Sequence, residues 1–337
     1  MEHRMTVLVD EFIPLDQWNQ LVSESSHSSP FQTHGFYSLC NSVPGFRAKA
    51  VAVCNPGRIL ALVVVVVQHE PGLKSFLSRR GIIYGGALVR EGMDETLDLL
   101  LSEIIFLLKG TVIYFESRNF SDYSDYNRIF LKNGWTFVPY LNLTINLDGK
   151  TLPDIMSGMN YNRRRQIRIS LESEAIYREC ESETELKAIY DILKSFYREK
   201  LKLPLPDFHF FEALWLKKPG KVFVVLHYSK VIGGSFCLVL PGRSIYTMYY
   251  CGLRDYDRKI YPTHLAVLAA LDYAVSSGLK LFDFMGAGNK NREYGVRTYK
   301  QEFGSTLNEY GRYVRVVNRI LYGIGKIALK LPRLSFR

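Results

Sequence analysis

The chain has 337 residues, 47% of them hydrophobic and 23% charged. That is an ordinary globular balance with length enough for two domains, and it excludes a disordered, collagen-like or disulfide-stapled chain. With 43 Lys+Arg against 33 Asp+Glu the formal net charge is +10, which favours anionic partners: nucleic acid, phosphorylated small molecules or an acidic membrane surface.

A strand at residues 6–9 leads to helices near 15–25 and 33–43, separated by the polar stretch SESSHSSP. Extended segments follow at 46–53, 58–69 and 81–89. Residues 93–108 read as a long amphipathic helix with apolar Leu97, Leu100, Leu101, Ile104, Ile105 and Leu108. Next come a strand at 111–116, a helix at 123–133 ending in Asn133-Gly134, and a strand at 135–147. In that strand Phe137, Leu141, Leu143, Ile145 and Leu147 recur mostly every second residue. Asp148-Gly149-Lys150 and Pro153 punctuate the middle. Helices at 160–172, 183–200 and 208–217 precede strands at 221–227, 231–240 and 244–251. A long helix spans 262–276, with Pro262 suited to its first turn and Gly278 to its cap. A strand at 281–285, a glycine-rich loop and a basic C-terminal helix complete the chain.

The two halves repeat an order of helices, three strands, a long helix and a strand. This predicts an α/β (α+β) protein of two similar mixed-sheet domains, 1–150 and 151–310, followed by a basic amphipathic helix, 311–337. In that tail are seven cations, Arg312, Arg315, Arg319, Lys326, Lys330, Arg333 and Arg337, and no acid. Its apolar residues recur mostly at helical spacing, which suits either an anionic membrane surface or packing against the first domain. The remaining residues carry 36 bases against 33 acids, so the body is not a general nucleic-acid-binding surface.

Cys40, Cys54, Cys180, Cys237 and Cys251 are odd in number and lack a CxxC pair. Neither a disulfide framework nor a structural zinc site is expected, and no metal ligands are assigned. Cys54 and Cys237 sit in or beside apolar runs, as small core residues do. The start, MEHRMTVLVDEF, lacks the apolar stretch of a secretory signal. The most apolar run, residues 59–67, suits a buried strand rather than a span. A location in the cytoplasm or at the inner face of a membrane is expected.

The segment LFDFMGAGNKNREYGVRTYKQEFGSTLNEY, residues 281–310, is the richest in chemistry. Gly286 and Gly288 follow a strand end, where glycine allows close approach of a ligand to the backbone. Asn289, Lys290, Asn291 and Arg292 supply donors, and Arg297 and Lys300 follow. The GxG lacks the third glycine and helix of a dinucleotide fingerprint. Asp283 is a candidate catalytic acid in the preceding strand. In NRRRQIRIS, Arg164 and Arg168 share a helix face while Arg163 and Arg165 diverge, a cluster suited to tRNA phosphates or an anionic precursor, or to plain solvation. No GxSxG or HExxH occurs.

The arrangement FDF-GAG … YGV-x-x-YK-x-x-FG … Y resembles the Fem-type peptidoglycan-bridge aminoacyltransferases and related acyltransferases built from two GNAT-like domains. FQTHGFY, GIIYGGALV, NRRRQIRIS and YPTHLAVLAALDYAVSSGLKLFDF are similar too, so the resemblance covers nearly the whole chain. It implies an N-acyltransferase moving an aminoacyl or acyl group from an activated carrier, aminoacyl-tRNA or acyl thioester, to an amine of a nucleotide- or lipid-linked cell-envelope precursor. No tightly bound cofactor is implied. Lys300, preceded by Tyr299, matches the family lysine that contacts precursor phosphate. Glu116 in YFESRN is nearest to an acid considered as a base, although the usual Asp-Pro is absent; pairing with Arg118 is the alternative. The helical-hairpin arm associated with tRNA handling is missing between Arg163 and Lys221. GLRDYDRKIYPTHLA lacks the glycine pattern that binds the CoA pyrophosphate. Sugar N-acylation from a thioester and a non-catalytic scaffold binding RNA or protein remain as rival readings.

Overall fold

The computed structural model describes residues 5–69, 75–217, 219–291 and 295–330. Its strands are β1 (Thr6–Val9), β2 (Arg47–Asn55), β3 (Arg58–Gln68), β4 (Arg80–Tyr84), β5 (Leu88–Val89), β6 (Tyr114–Arg118), β7 (Thr136–Val138), β8 (Asn142–Asn146), β9 (Ile176–Glu179), β10 (Gly220–His227), β11 (Lys230–Leu240), β12 (Ser244–Gly252), β13 (Leu281–Gly286), β14 (Thr306–Asn308) and β15 (Arg312–Val316). The described residues up to Pro139, with those from Tyr310 onward, form one compact unit; Tyr140–Glu309 form the other.

In the first unit the sheet order is β1-β2-β3-β4-β6-β15-β7, with β5 paired to β3. In the second it is β9-β10-β11-β12-β13-β8-β14. One parallel pair stands at the same place in each, β4–β6 and β12–β13, and the other described pairings are antiparallel. A long helix makes each parallel connection, Glu95–Leu108 in one unit and Pro262–Ser276 in the other, as a parallel crossover requires. The repeat expected from the sequence is thus present strand by strand.

Period-two burial builds both cores. In β2 and β3, Val51, Val53, Ala61, Val63, Val65 and Val67 share a cluster with Leu97, Leu100, Leu101 and Ile104 of the helix Glu95–Leu108. Each such fully buried aliphatic side chain stabilises by roughly 1.5–3 kcal/mol. The intervening residues of β3 are buried as well, because helices Leu15–Glu24 and His34–Asn41 also pack on this sheet. This is why the valine run is continuous instead of alternating. In the second unit Phe223, Val225, Cys237, Val239 and Ile245 cluster with the helix Pro262–Ser276. Phe236, one place out of that alternation, meets Phe211 of helix Phe208–Leu216 with ring centroids 4.5 Å apart. All five cysteines are buried and free; burial pushes the Cys237 thiol up to about 12.

Several boundaries differ from the sequence expectation. The single strand expected at 135–147 is two strands in different sheets, β7 and β8, broken at Pro139, which has no N–H to give a ladder. Segment 81–89 breaks at Gly85 and Gly86, both at positive φ (79° and 82°). There the buried Tyr123 hydroxyl donates to Gly85 O and Ala87 O at 2.9 and 2.8 Å. The helix expected at 183–200 is α-helical to Phe196, then closes with a π-turn, Tyr197–Leu201. The largest correction concerns the tail. Residues 311–337 are not one helix: β15 lies between β6 and β7 in the first sheet, and only Arg319–Lys330 is helical among the described residues. Arg312, Tyr313 and Val314 alternate with buried Tyr313 facing Phe130, a strand pattern hidden within apolar residues that also fit a helix.

Candidate functional site

The second unit contains a fork in its sheet. β12 and β13 pair only through Ser244, Ile245 and Tyr246 against Leu281, Phe282 and Asp283. Beyond this point no ladder joins them among the described residues, although β12 continues to Gly252 and β13 to Gly286. Two irregularities accompany the fork. The β11–β12 register shifts between Phe236 and Cys237. The β13–β8 register shifts between Asp283 and Gly286, where Met285 sits at φ 61°. A left-handed non-glycine residue costs of order 1–2 kcal/mol and turns the strand. A fork beside the carboxyl ends of parallel strands is where α/β sheets take ligands.

Asp283, at the base of the fork, is fully buried. Its Oδ1 accepts from the Met285 N–H, and Oδ2 has no hydrogen-bond partner among the described residues. Burial raises its carboxyl to about 7, although the Met285 N–H, the Lys300 ammonium and Asn142 pull the other way. Lys300 is 5% exposed. Its Nζ donates to Phe284 O and Gly286 O at 2.6 and 2.8 Å. Burial lowers its ammonium to about 8, partly offset by Asp283. Lys300 therefore lies inward against the loop backbone, not on a surface, and it does not pair with Glu302. One helical turn earlier, Arg297 Nε donates to Ala287 O at 3.0 Å and Nη2 to Asn289 O at 2.5 Å. Four carbonyls of residues 284–289 are thus held by two cations of the helix Gly295–Gln301. Gly288, at φ 81°, lets the chain turn within this strap, and its carbonyl accepts from Leu141 N–H. Arg292 lies outside the described residues.

The arginine cluster is divided by the fold. Arg163, in the helix Tyr161–Glu172, is 3% exposed. Its guanidinium pairs with Glu302, meets His264, and lies 4.3 and 4.5 Å from the ring centroids of Tyr299 and Phe303. Arg164 caps Ser157 O at 2.7 Å, at the C-terminus of helix Leu152–Ser157. Arg168 remains exposed. Burial and Arg163 depress His264 to about 3, so the imidazole is neutral. Tyr299 donates to Thr263 O at 3.2 Å and stacks on Tyr250 of β12 at 5.8 Å. No local pattern in the chain signals this aromatic cage, because its members are far apart and an Arg-rich helix start reads as a solvated face.

Glu116 belongs to the first unit, at β6, and is 8% exposed. Burial alone would raise its carboxyl, but Arg118, at 3.3 Å, and Arg312 of β15 outweigh this and hold it below the usual range. A carboxylate paired to two guanidiniums is a weak base. Both Arg118, the neighbour two residues on, and Arg312 from the distant strand β15 pair with it. Where a CoA pyrophosphate would be expected, the helix Pro262–Ser276 begins tightly against β12: a Cβ on Gly252 would lie 2.5 Å from Thr263 N. Arg254 stacks over Phe196 at 5.0 Å. Among the described residues there is no group of three or more His, Cys, Asp or Glu placed to hold a metal, and no helix long and apolar enough to cross a membrane.

These sheets, with a parallel fork and a long crossover helix, define a tandem GNAT-like fold. No family model and no curated protein matches the chain. Among solved structures, FemX is 14% identical, with a TM-score of 0.73 over 94% of this chain and 99% of its own. The C-terminal domain of a putative lysylphosphatidylglycerol synthetase from Agrobacterium fabrum is 11% identical, with a TM-score of 0.60 over 94% of each chain. A tandem GNAT protein from the clavulanic acid biosynthesis pathway is 9% identical, with a TM-score of 0.58 over 93% of this chain and 99% of its own. The chain shares the double GNAT-like fold of these proteins.

Proposed function

We propose that the protein is an N-acyltransferase that moves an acyl or aminoacyl group from an activated carrier to an amine of an anionic cell-envelope precursor, nucleotide- or lipid-linked. The observation that carries this reading is the fork between β12 and β13 in a fold shared with FemX and a GNAT protein. Strands that part leave backbone amides and carbonyls unpaired, and an extended amide-bearing donor arm can pair with them as a strand would. The amine attacks the carrier's acyl carbonyl, the carrier leaves as alcohol or thiol, and the amine's proton passes to a base. Asp283, with a carboxyl near 7 at the root of the fork, has the affinity to take part in proton balance there. The strap at residues 284–289 turns its carbonyls toward Lys300 and Arg297, so an anion-binding role of Gly286, Gly288 and Asn289 would rest on their N–H groups. In this reading Lys300, Arg297 and Tyr299 are positioning residues.

A thioester on a carrier protein is the form we favour over CoA, whose pyrophosphate-binding glycine pattern the chain lacks. Burial of Arg163 and the capping role of Arg164 leave few free guanidiniums on the helix proposed to meet tRNA. Incubation with acyl-CoAs, acyl carrier proteins and aminoacyl-tRNAs, each with a nucleotide-linked amine acceptor, tests the proposal by mass spectrometry of the amide product. Transfer from one donor class is expected. No product from any donor, with no thermal stabilisation by donor or acceptor, would refute it in favour of a binding scaffold.

A further inference from the structure

We infer that the helix Arg319–Lys330 docks the protein on an anionic lipid surface. The helix is fixed on one side. Val317 and Asn318 N–H both donate to Ile113 O, at 2.9 and 3.0 Å. Tyr322 meets Tyr114 edge-on at 5.2 Å. Gly325 packs so closely on the short helix Ser75–Ser78 that a Cβ would lie 3.2 Å from Leu77 O.

Among the described residues nothing covers the opposite side. Ile320 is 77% exposed and Ile324, one turn on, is 46% exposed. Phe76, on the turn that Gly325 touches, is 53% exposed. Arg319 and Lys326 flank them, exposed, with the Lys326 ammonium 4.7 Å from the Tyr322 ring. Exposed branched aliphatics beside cations, on a helix anchored by its back, are the two signals a reversible interfacial anchor combines.

Charge selects the occupant. The helix Arg319–Lys330 carries three cations, Arg319, Lys326 and Lys330, and no acid. A second copy of the same face would meet it with like charge, so self-association there is opposed. RNA would satisfy the cations but leave Ile320, Ile324 and Phe76 in water. An anionic bilayer surface satisfies both. Each cation near such a surface strengthens binding by about fivefold at low salt, and the effect fades as the Debye length shrinks.

Co-sedimentation of the full chain with vesicles of phosphatidylcholine containing about one-third phosphatidylglycerol tests this. Binding at low salt is expected, with loss at high salt and on pure phosphatidylcholine. I320D/I324D is expected to lower affinity at least tenfold, and R319Q/K326Q by a similar factor. Both pairs are exposed, so the melting temperature of each variant serves as the folding control. Undiminished binding of I320D/I324D would overturn apolar insertion. Absence of vesicle binding with retained binding to duplex RNA would overturn the lipid assignment. Acyl transfer to a water-soluble acceptor is a separate readout, so failure here is distinguishable from failure of the catalytic proposal.

Discussion

Replacing Asp283 by Asn removes one titratable proton from a fully buried site while keeping the side chain's shape. In the folded protein burial raises this carboxyl from 3.8 to about 7. Because the folded value lies above the unfolded one, the group's contribution to stability is full below about pH 4 and is lost as pH rises through 7. At about 1.4 kcal/mol per pKa unit, the loss across that window is on the order of 4 kcal/mol. Asp283→Asn has no such loss. Its stability relative to the native protein should therefore climb by several kcal/mol between pH 4 and 7. Removing the acid also lowers the neighbouring Lys300 further, which acts with the same sign. Urea denaturation of both proteins at half-unit pH steps measures the difference directly. A difference that stays flat from pH 4 to 7 would refute the assignment of a buried, near-neutral carboxyl to this strand.

Lys300→Met should leave Phe284 O and Gly286 O without their donor, destabilising the second unit by about 1–3 kcal/mol; thermal melting reads this, and an unchanged midpoint would sink the strap role. Lys300 itself contributes stability above its unfolded value of 10.5 that is lost as pH falls through about 8. Glu116→Gln should cost about 1–3 kcal/mol by stranding Arg118 and Arg312, yet leave transfer at a permissive temperature near normal; a collapse of kcat with an unchanged melting temperature would make Glu116 catalytic after all. The native Glu116 contribution is present above pH 4.5 and is lost as pH falls through its lowered value. Gly86→Ala places a Cβ 2.4 Å from Tyr123 Cζ at a φ of 82°, so a loss of ~2 kcal/mol or more is expected in denaturant titration.

Long periodic elements were readable from the chain. The helix at 262–276 needed only its proline, its apolar run and Gly278, and the tandem order of elements pointed to two similar sheets. Two kinds of feature were hidden. One is pairing between distant segments: nothing local tells β15 to enter the first sheet, or Pro139 to separate strands bound for different sheets. The other is the fate of cations. Lys300 and Arg163 look like surface charges by composition, but carbonyls, rings and carboxylates brought from other elements enclose them. The left-handed Met285 is likewise a product of the β13–β8 register, not of any turn signal.

The strand exchange between the units has a consequence for synthesis. In the second unit β8 fills the place next to the parallel pair, and in the first that place waits for β15. The second unit is contiguous in the chain, while the first is assembled from both ends. During translation the order of completion is therefore inverted: residues 140–309 have all their strands before the N-terminal sheet can close. Until residue 316 emerges, β6 and β7 present open edges, the kind of surface on which nascent chains misassemble.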